Sequence, residues 1–309
     1  MKITYQKYTF TLEAIEPLYL PYYKGSTFRG GFGNVFKKIA CPLRFAECKD
    51  CILREKCVYV YIFETIPNEK AQILNMNKYE KIPHPFIIEP PENNENLIPV
   101  GETIIFNLIL IGKAIDYIPY FIYVFEQLGK IGIGKGRGKY KLQRVKVREH
   151  SVYHKGILKK TPSQFLELPL QFKPSKREDV LKIKIYTPVR IKYQRKFCSE
   201  LDFHIIIRNL LRRLTLLSFF HCSENPSIPY REIISHAEKV RTLTSNLNWY
   251  DWERYSTRQG TRMKLGGVIG EITYEGDITP FMPYLMAGEI LHIGKGTSFG
   301  LGKYQIIKK

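Results

Sequence analysis

The sequence predicts an α+β fold: two tandem ferredoxin-like (RRM-like) βαββαβ domains, with a four-cysteine insertion in the first and a C-terminal glycine-rich loop late in the second. Three observations carry this. Strand-like and helix-like periodicities run β-α-β-β-α-β in the first half, and the pattern returns in the second as strand, helix, strand, helix, strand. A Gly-x-Gly-Lys-Tyr motif recurs, as Gly136-Arg137-Gly138-Lys139-Tyr140 and as Gly300-Leu301-Gly302-Lys303-Tyr304, each time between the second helix and the last strand of its half. The 309 residues also suffice for two domains of about 150 residues with real cores. The expected division is a first domain at 1–148, a polar linker with three prolines at 149–179, and a second domain at 180–309.

Taken in order, residues 2–12 alternate like a half-buried strand. Ser26 and Thr27 offer caps for a helix whose apolar face is Phe28, Phe32, Val35, Phe36 and Ile39. Val58–Phe63 and Glu102–Ile111 are strand-like. Asp116–Leu128 reads as a helix with Pro119 in its first turn and Gly129 as its stop. Lys139–Val147 closes the first half. In the second half, Leu181–Ile185 alternates as a strand. Leu201–Phe220 forms a helix capped by Ser199, with Arg208, Arg212 and Arg213 projecting beside its Leu/Ile face. Val268–Tyr274 is a strand, Thr279-Pro280 opens a helix, and a strand ends the chain.

Composition points to a polyanionic partner. There are 48 Lys+Arg against 29 Asp+Glu, a formal net charge of +19. Each phosphate that such a surface neutralises releases condensed counterions. Apolar residues make up 44% and aromatics 13%, which excludes a disordered chain. No stretch approaches the apolar length of a membrane helix, and the N-terminus lacks a signal-peptide core. The expectation is a cytoplasmic protein with no membrane partner, whose six cysteines are not structural disulfides.

Three basic, aromatic-rich stretches suit RNA, since aromatics stack on bases and arginine clamps phosphate. Residues 130–148 carry Lys130, Lys135, Arg137, Lys139, Lys141, Arg144, Lys146 and Arg148 with no acidic side chain. Arg190, Lys192, Arg195 and Lys196 flank Tyr193. Residues 249–259 mix Trp249, Tyr250, Trp252 and Tyr255 with Arg254 and Arg258. The loop Gly294-Lys295-Gly296-Thr297-Ser298-Phe299-Gly300-Leu301-Gly302 lets backbone approach a phosphate, its N–H groups forming an anion nest. It is not a Walker loop, because it lacks the Gly-x4-Gly-Lys spacing and precedes a strand.

Cys41, Cys48, Cys51 and Cys57 form C-x6-C-x2-C-x5-C, which suits a tetrahedral structural zinc, with an iron–sulfur cluster as the alternative. His292 immediately precedes the glycine loop and is the candidate acid or base. His84 lies in a loop between two prolines. No GxSxG, HExxH or paired-carboxylate motif occurs, which argues against serine hydrolase, zincin and two-metal nuclease chemistry.

These residues resemble a known family. Thr27–Cys57, Leu201–Arg213, Trp249–Gly270 and Gly288–Ile306 are similar to the CRISPR-associated endoribonuclease of the RAMP superfamily that processes repeat RNA. Arg254-Tyr255-Ser256-Thr257-Arg258-Gln259, Lys264-Leu265-Gly266-Gly267-Val268-Ile269-Gly270 and the run from Gly288 to Tyr304 carry most of the likeness. The resemblance implies cutting of precursor CRISPR RNA within each repeat by metal-free attack of a ribose 2′-OH, leaving a 2′,3′-cyclic phosphate and a 5′-OH. Relatives often place a catalytic histidine in or just after the first helix, and no histidine precedes His84 here. Tyr23, Lys24 and Lys37 are then the expected helpers of His292. Arg29, Lys135, Arg137, Arg254, Arg258, Lys264, Gly294, Lys295, Gly296, Thr297, Ser298, Gly300 and Gly302 are the expected RNA contacts. CRISPR repeat RNA, and other Cas proteins of an effector complex, are the expected partners. The competing readings are a non-catalytic crRNA-binding RAMP subunit and a metal-dependent enzyme using the cysteine site.

Overall fold

The computed structural model describes residues 1–43, 46–67, 82–93, 95–154, 156–175, 177–251, 253–256 and 261–307, with backbone alone for 253–256 and 261–264. The chain forms two compact units. One comprises Ile3–Phe165 with Phe220–Ser223, the other Met1–Lys2, Leu166–Phe219 and Glu224–Lys309.

The first unit is built on β1 (Lys2–Ala14), α1 (Gly25–Ala40), β2 (Phe86–Glu89), β3 (Thr103–Ile111), α2 (Ile118–Ile131) and β4 (Tyr140–Val147). The central sheet order is β2-β3-β1-β4, with neighbours antiparallel. This is the ferredoxin-like arrangement, in which the first strand sits inside and the two helices cover one face. Strands β5 (His150–His154) and β6 (Ile157–Leu158) extend the sheet beyond β4, and β7 (Gln164–Glu167) pairs with β1. The core is aromatic. Phe28, Phe32 and Phe36 recur at helical spacing on α1 and are buried. Phe32 stacks on Phe121 of α2 at 4.6 Å, and Phe10 on Phe106 between β1 and β3 at 4.8 Å. Removing any of these rings would cost about 3–5 kcal/mol in lost burial and cavity.

Three local expectations are corrected here. Helix α1 begins at Gly25 with Lys24 at the cap position and no side-chain cap, so Ser26 and Thr27 lie inside its first turn. Helix α2 runs through Gly129 and stops at Gly132, whose φ of +88° ends it. Val58–Phe63 is not the second strand: Val60–Glu64 is a wide helical turn of the π type. Its alternation reflects a different packing, with Tyr59 stacked on Phe63 at 5.4 Å. The Phe63 ring lies so near α1 that a Cβ on Gly33 would fall 2.1 Å from it. The true second strand, Phe86–Glu89, is four buried residues between prolines.

The second unit repeats the plan with β8 (Asp179–Val189), α3 (Phe203–Cys222), β9 (Arg241–Tyr250), β10 (Gly267–Gly276), α4 (Met282–Leu291) and β11 (Tyr304–Ile307). Its sheet order is β9-β10-β8-β11. Ile183 of β8 stands opposite both Ile272 and Ile306, which fixes the register of the core face. Helix α3 starts at Phe203, beyond Ser199, so that expected cap is not used. Of its arginines, Arg212 is exposed, but Arg213 is buried and donates from Nε to the Leu291 carbonyl (3.0 Å), satisfying the C-terminus of α4. Strand β9 is exposed along nearly its whole length. No helix among the described residues is long and apolar enough to cross a membrane.

Candidate RNA interface

The glycine-rich loop leaves α4 at His292, a non-glycine residue at φ +58°. His292 is fully buried, and its Nδ1 lies 3.0 Å from the Leu301 carbonyl. A carbonyl only accepts, so that nitrogen carries the proton. The ring therefore fastens the start of the loop to its end. The role of acid or base expected for it needs an open face that it does not have here.

The loop closes on itself through Ile293 N–H to Gly302 O (3.0 Å). It is fixed to the end of β8 through Lys295 N–H to Arg190 O (2.8 Å), Gly302 N–H to Pro188 O (3.1 Å) and Thr187 Oγ1–H to Gly300 O (2.8 Å). Gly294 N–H donates to Asn209 Oδ1 at 2.8 Å. A Cβ at Gly302, φ +77°, would lie 1.8 Å from the Ile293 carbonyl oxygen. The glycines thus let the backbone approach its own chain, and the N–H groups of Gly294, Lys295, Gly300 and Gly302 are already used. Gly296 and Gly300, both in the left-handed region, flank one turn at Thr297–Phe299. Thr297 and Ser298 are buried, so their hydroxyls do not face solvent. What the loop offers outward is Lys295.

Around Lys295 the fold collects other cations. Lys295 is exposed, yet the protein crowding its ammonium, and then Lys192, Arg212 and Arg190, lower its proton affinity from the ordinary lysine value. Arg190, from the end of β8, is almost buried, and burial depresses its pKa against the pull of Asp251. Its Nη1 is buried with no hydrogen-bond partner among the described residues. Lys192 lies on a two-stranded ribbon, Lys192–Tyr193 with Lys196–Phe197, turned by Gln194 and Arg195 at φ +48° and +70°. The Arg190 guanidinium and the Lys192 ammonium sit over the partly exposed Phe197 ring at 4.8 and 4.9 Å. Four converging cations and an orphaned guanidinium nitrogen form a seat for an anion.

In the first unit, Lys135, Arg137, Lys139, Lys141 and Arg144 are exposed around the shorter glycine turn and along β4. Arg137 takes φ +53° there. At the start of α1, Lys24 is buried and donates from Nζ to Asn93 O at 2.7 Å; burial lowers its pKa. The neighbouring Tyr23 hydroxyl is pushed far above its ordinary pKa by burial, then by Glu89. Lys37 lies thirteen residues on, about 20 Å along the helix, over Tyr59. The structure therefore does not gather Tyr23, Lys24 and Lys37. Arg29 does face a histidine: its Nη2 is 3.0 Å from His84 Nε2, a contact with no sequence signal.

The four cysteines are each half-buried. The Cys48 thiol is raised in pKa by burial and by Glu64, against Lys37, and it also senses Cys41 and Cys57. No group of three or more metal-ligating side chains is assembled among the described residues. Arg254 and Lys264 lie on a ribbon, Glu253–Ser256 paired with Thr261–Lys264, while Arg258 falls outside the described residues.

The two halves match two family models. The AF_1859_N model, an N-terminal domain, matches residues 3–166, and the CRISPR-associated endoribonuclease Cas6 model matches residues 183–304. The likeness to the Cas6 family thus covers residues 183–304, the second half of the chain. An uncharacterized protein of Archaeoglobus fulgidus is 25% identical over 292 residues, covering 93% of each chain. Among solved structures, a Cas6 product complex aligns at TM-score 0.57 and 16% identity, covering 98% of this chain and 99% of that one. Thermus thermophilus Cas6 aligns at TM-score 0.52 and 14% identity over 99% of both chains. A partial Cas6-RT-Cas1–Cas2 complex aligns at TM-score 0.56 and 14% identity over 99% of this chain and 46% of that one. At these identities the likeness is one of fold. The Cas6 model ends at the last strand, so it spans the glycine loop and the whole cation cluster.

Proposed function

We propose that this protein processes CRISPR precursor RNA as a metal-independent endoribonuclease. The ribose 2′-OH attacks the adjacent phosphate, leaving a 2′,3′-cyclic phosphate and a 5′-OH. The observation that carries the reading is the convergence of Arg190, Lys192, Arg212 and Lys295 beside the glycine loop. Four like charges are unfavourable together unless an anion joins them, and a polynucleotide phosphate is the anion that the net charge of +19 attracts. The Cas6 family match over residues 183–304 supports the RNA substrate, and the similarity of fold to a Cas6 product complex agrees with it. The similar fold within a Cas6-RT-Cas1–Cas2 complex supports association with further Cas proteins. Incubation with repeat RNA in EDTA should cut at one position, and end-group analysis should find a 2′,3′-cyclic phosphate. Strict Mg²⁺ dependence, or products with a 3′-OH, would sink the reading.

We further propose a structural zinc on Cys41, Cys48, Cys51 and Cys57. Support comes from their spacing and from the electrostatic influence of Cys41 and of Cys57 on the Cys48 thiol. Four thiolates would hold the ion closed to water and supply stability rather than chemistry. Cys48→Ser should lower the melting temperature more than the single-turnover rate of the surviving folded protein. Elemental analysis of anaerobically purified protein that finds neither stoichiometric zinc nor iron would dispose of the idea.

A further inference from the structure

We infer that His84 is the proton-transfer residue of the cleavage reaction, with Arg29 supplying positive charge at the scissile phosphate. The assignment rests on the ribonuclease reading above and adds to it a residue for the chemistry.

The segment that carries His84 is unusually fixed. Pro83 and Pro85 restrict the backbone on both sides of it. Ile82 N–H donates to Thr65 O at 3.2 Å, and Ile111 N–H of β3 donates to Pro85 O at 2.9 Å. The imidazole lies near Phe63 and Phe86, with ring centroids 6.3 and 5.5 Å away. The half-buried ring is thus delivered to Arg29 of α1, the helix that lacks a histidine of its own.

Its two nitrogens have defined and different neighbours. Nε2 is 3.0 Å from Arg29 Nη2, and Nδ1 is 3.3 Å from Thr65 Oγ1. Guanidinium is a donor only, so Nε2 must be the acceptor and the proton must sit on Nδ1, facing the threonine hydroxyl. That is the tautomer a general base needs, with the basic nitrogen on the side of the cation. The Arg29 guanidinium is itself seated on the Phe63 ring at 4.4 Å.

Thr65 gives independent support. It is a buried, β-branched residue at φ +50°, directly after the π-type turn Val60–Glu64. A branched residue in the left-handed region costs about 1–3 kcal/mol, and such strain gathers at functional sites. π-type turns are enriched there as well. Here the strained conformation brings the hydroxyl to Nδ1. A histidine serving only to fill a corner would need neither the strained partner nor a ring nitrogen aimed at a guanidinium.

The reaction then balances as follows. An incoming phosphate takes hydrogen bonds of Arg29, since charge-assisted bonds to its oxygens outcompete a neutral imidazole. The freed Nε2 accepts the 2′-hydroxyl proton as the bond from O2′ to phosphorus forms. The bond from phosphorus to O5′ breaks, and O5′ takes a proton from water. His84 returns its extra proton to solvent.

The test uses the full chain and labelled repeat RNA at saturating enzyme. His84→Ala should slow single-turnover cleavage by about 10²–10⁴-fold, the usual contribution of acid–base catalysis, with filter-binding affinity kept. His84→Asn keeps an N–H towards Thr65 without the base, so it should melt like the wild type and cleave like the alanine variant. Added imidazole should restore part of the rate to His84→Ala, a rescue that a merely structural role cannot give. Wild-type rates in both variants overturn the assignment. So does a rate loss matched by equal losses of affinity and melting temperature with no imidazole rescue. If the wild-type protein itself makes no cut, the ribonuclease reading falls, and this assignment with it.

Discussion

At the scale of single residues, Lys295 shows function opposing stability. Its ammonium is crowded first by protein and then by Lys192, Arg212 and Arg190, so the folded state holds its proton less tightly than the unfolded chain. The sign follows by linkage. Below the lowered folded value both states are protonated, and the folded state bears the full penalty of the crowded charge. Between that value and the ordinary 10.5, the unfolded state binds more protons, so stability rises with pH. Lys295→Met should therefore melt at a higher temperature than the wild type near neutral pH, and the gap should narrow as pH rises through this window. The same substitution should weaken binding of repeat RNA and reduce the salt slope by about 0.7, the value of one single-strand phosphate contact. Melting curves across pH and filter binding across salt check both halves. A variant that binds with wild-type slope would remove Lys295 from the interface.

At the scale of elements, what the sequence displayed and what it hid divide along burial. Long elements with one buried face were legible: β1, α1, β3, α2 and β10 lie close to where periodicity puts them. The second strand of each half was not. Phe86–Glu89 is buried on both faces and too short for a period, while Arg241–Tyr250 is exposed on both and has no apolar alternation. The glycine loop was legible as a motif, but its chemistry was not, because its glycines serve contacts with its own chain. The cation cluster was hidden for a simpler reason: Arg190 and Lys192 share one basic stretch, but Arg212 comes from α3 and Lys295 from the glycine loop, far apart in sequence. The ribbon turn at Gln194-Arg195 belongs to the same logic. A two-residue turn with both residues at positive φ favours Asn-Gly, so Arg195 is kept there at a cost. Arg195→Gly should stabilise the protein by up to about 1 kcal/mol while lowering RNA affinity. Thermal melts that show no gain would mean the turn is not strained.

At the scale of the whole molecule, the net charge of +19 is shared between the two duplicated units. The first unit exposes Lys135 and Arg137 on its glycine turn, and the second exposes Lys192 and Lys295 beside its longer loop. Duplication gave both units a basic glycine turn, and the duplicate motif alone does not say whether both touch RNA. Two arrangements differ in measurable ways. If both contact one RNA, then Lys135→Glu with Arg137→Glu and Lys192→Glu with Lys295→Glu should each weaken binding. Their free-energy costs should add in the combined variant, as expected where neither pair alters the other's contacts. Each pair should also remove up to about 1.4 from the slope of log affinity against log salt, two contacts at about 0.7 each. If only the second unit binds, the first pair should leave both slope and affinity at wild-type values, and its basic turn is then a solvated face left over from duplication. Filter binding of the four proteins at four salt concentrations separates these outcomes. A flat result for Lys135 and Arg137 would remove that turn from the interface and leave RNA binding to the second unit's basic loop.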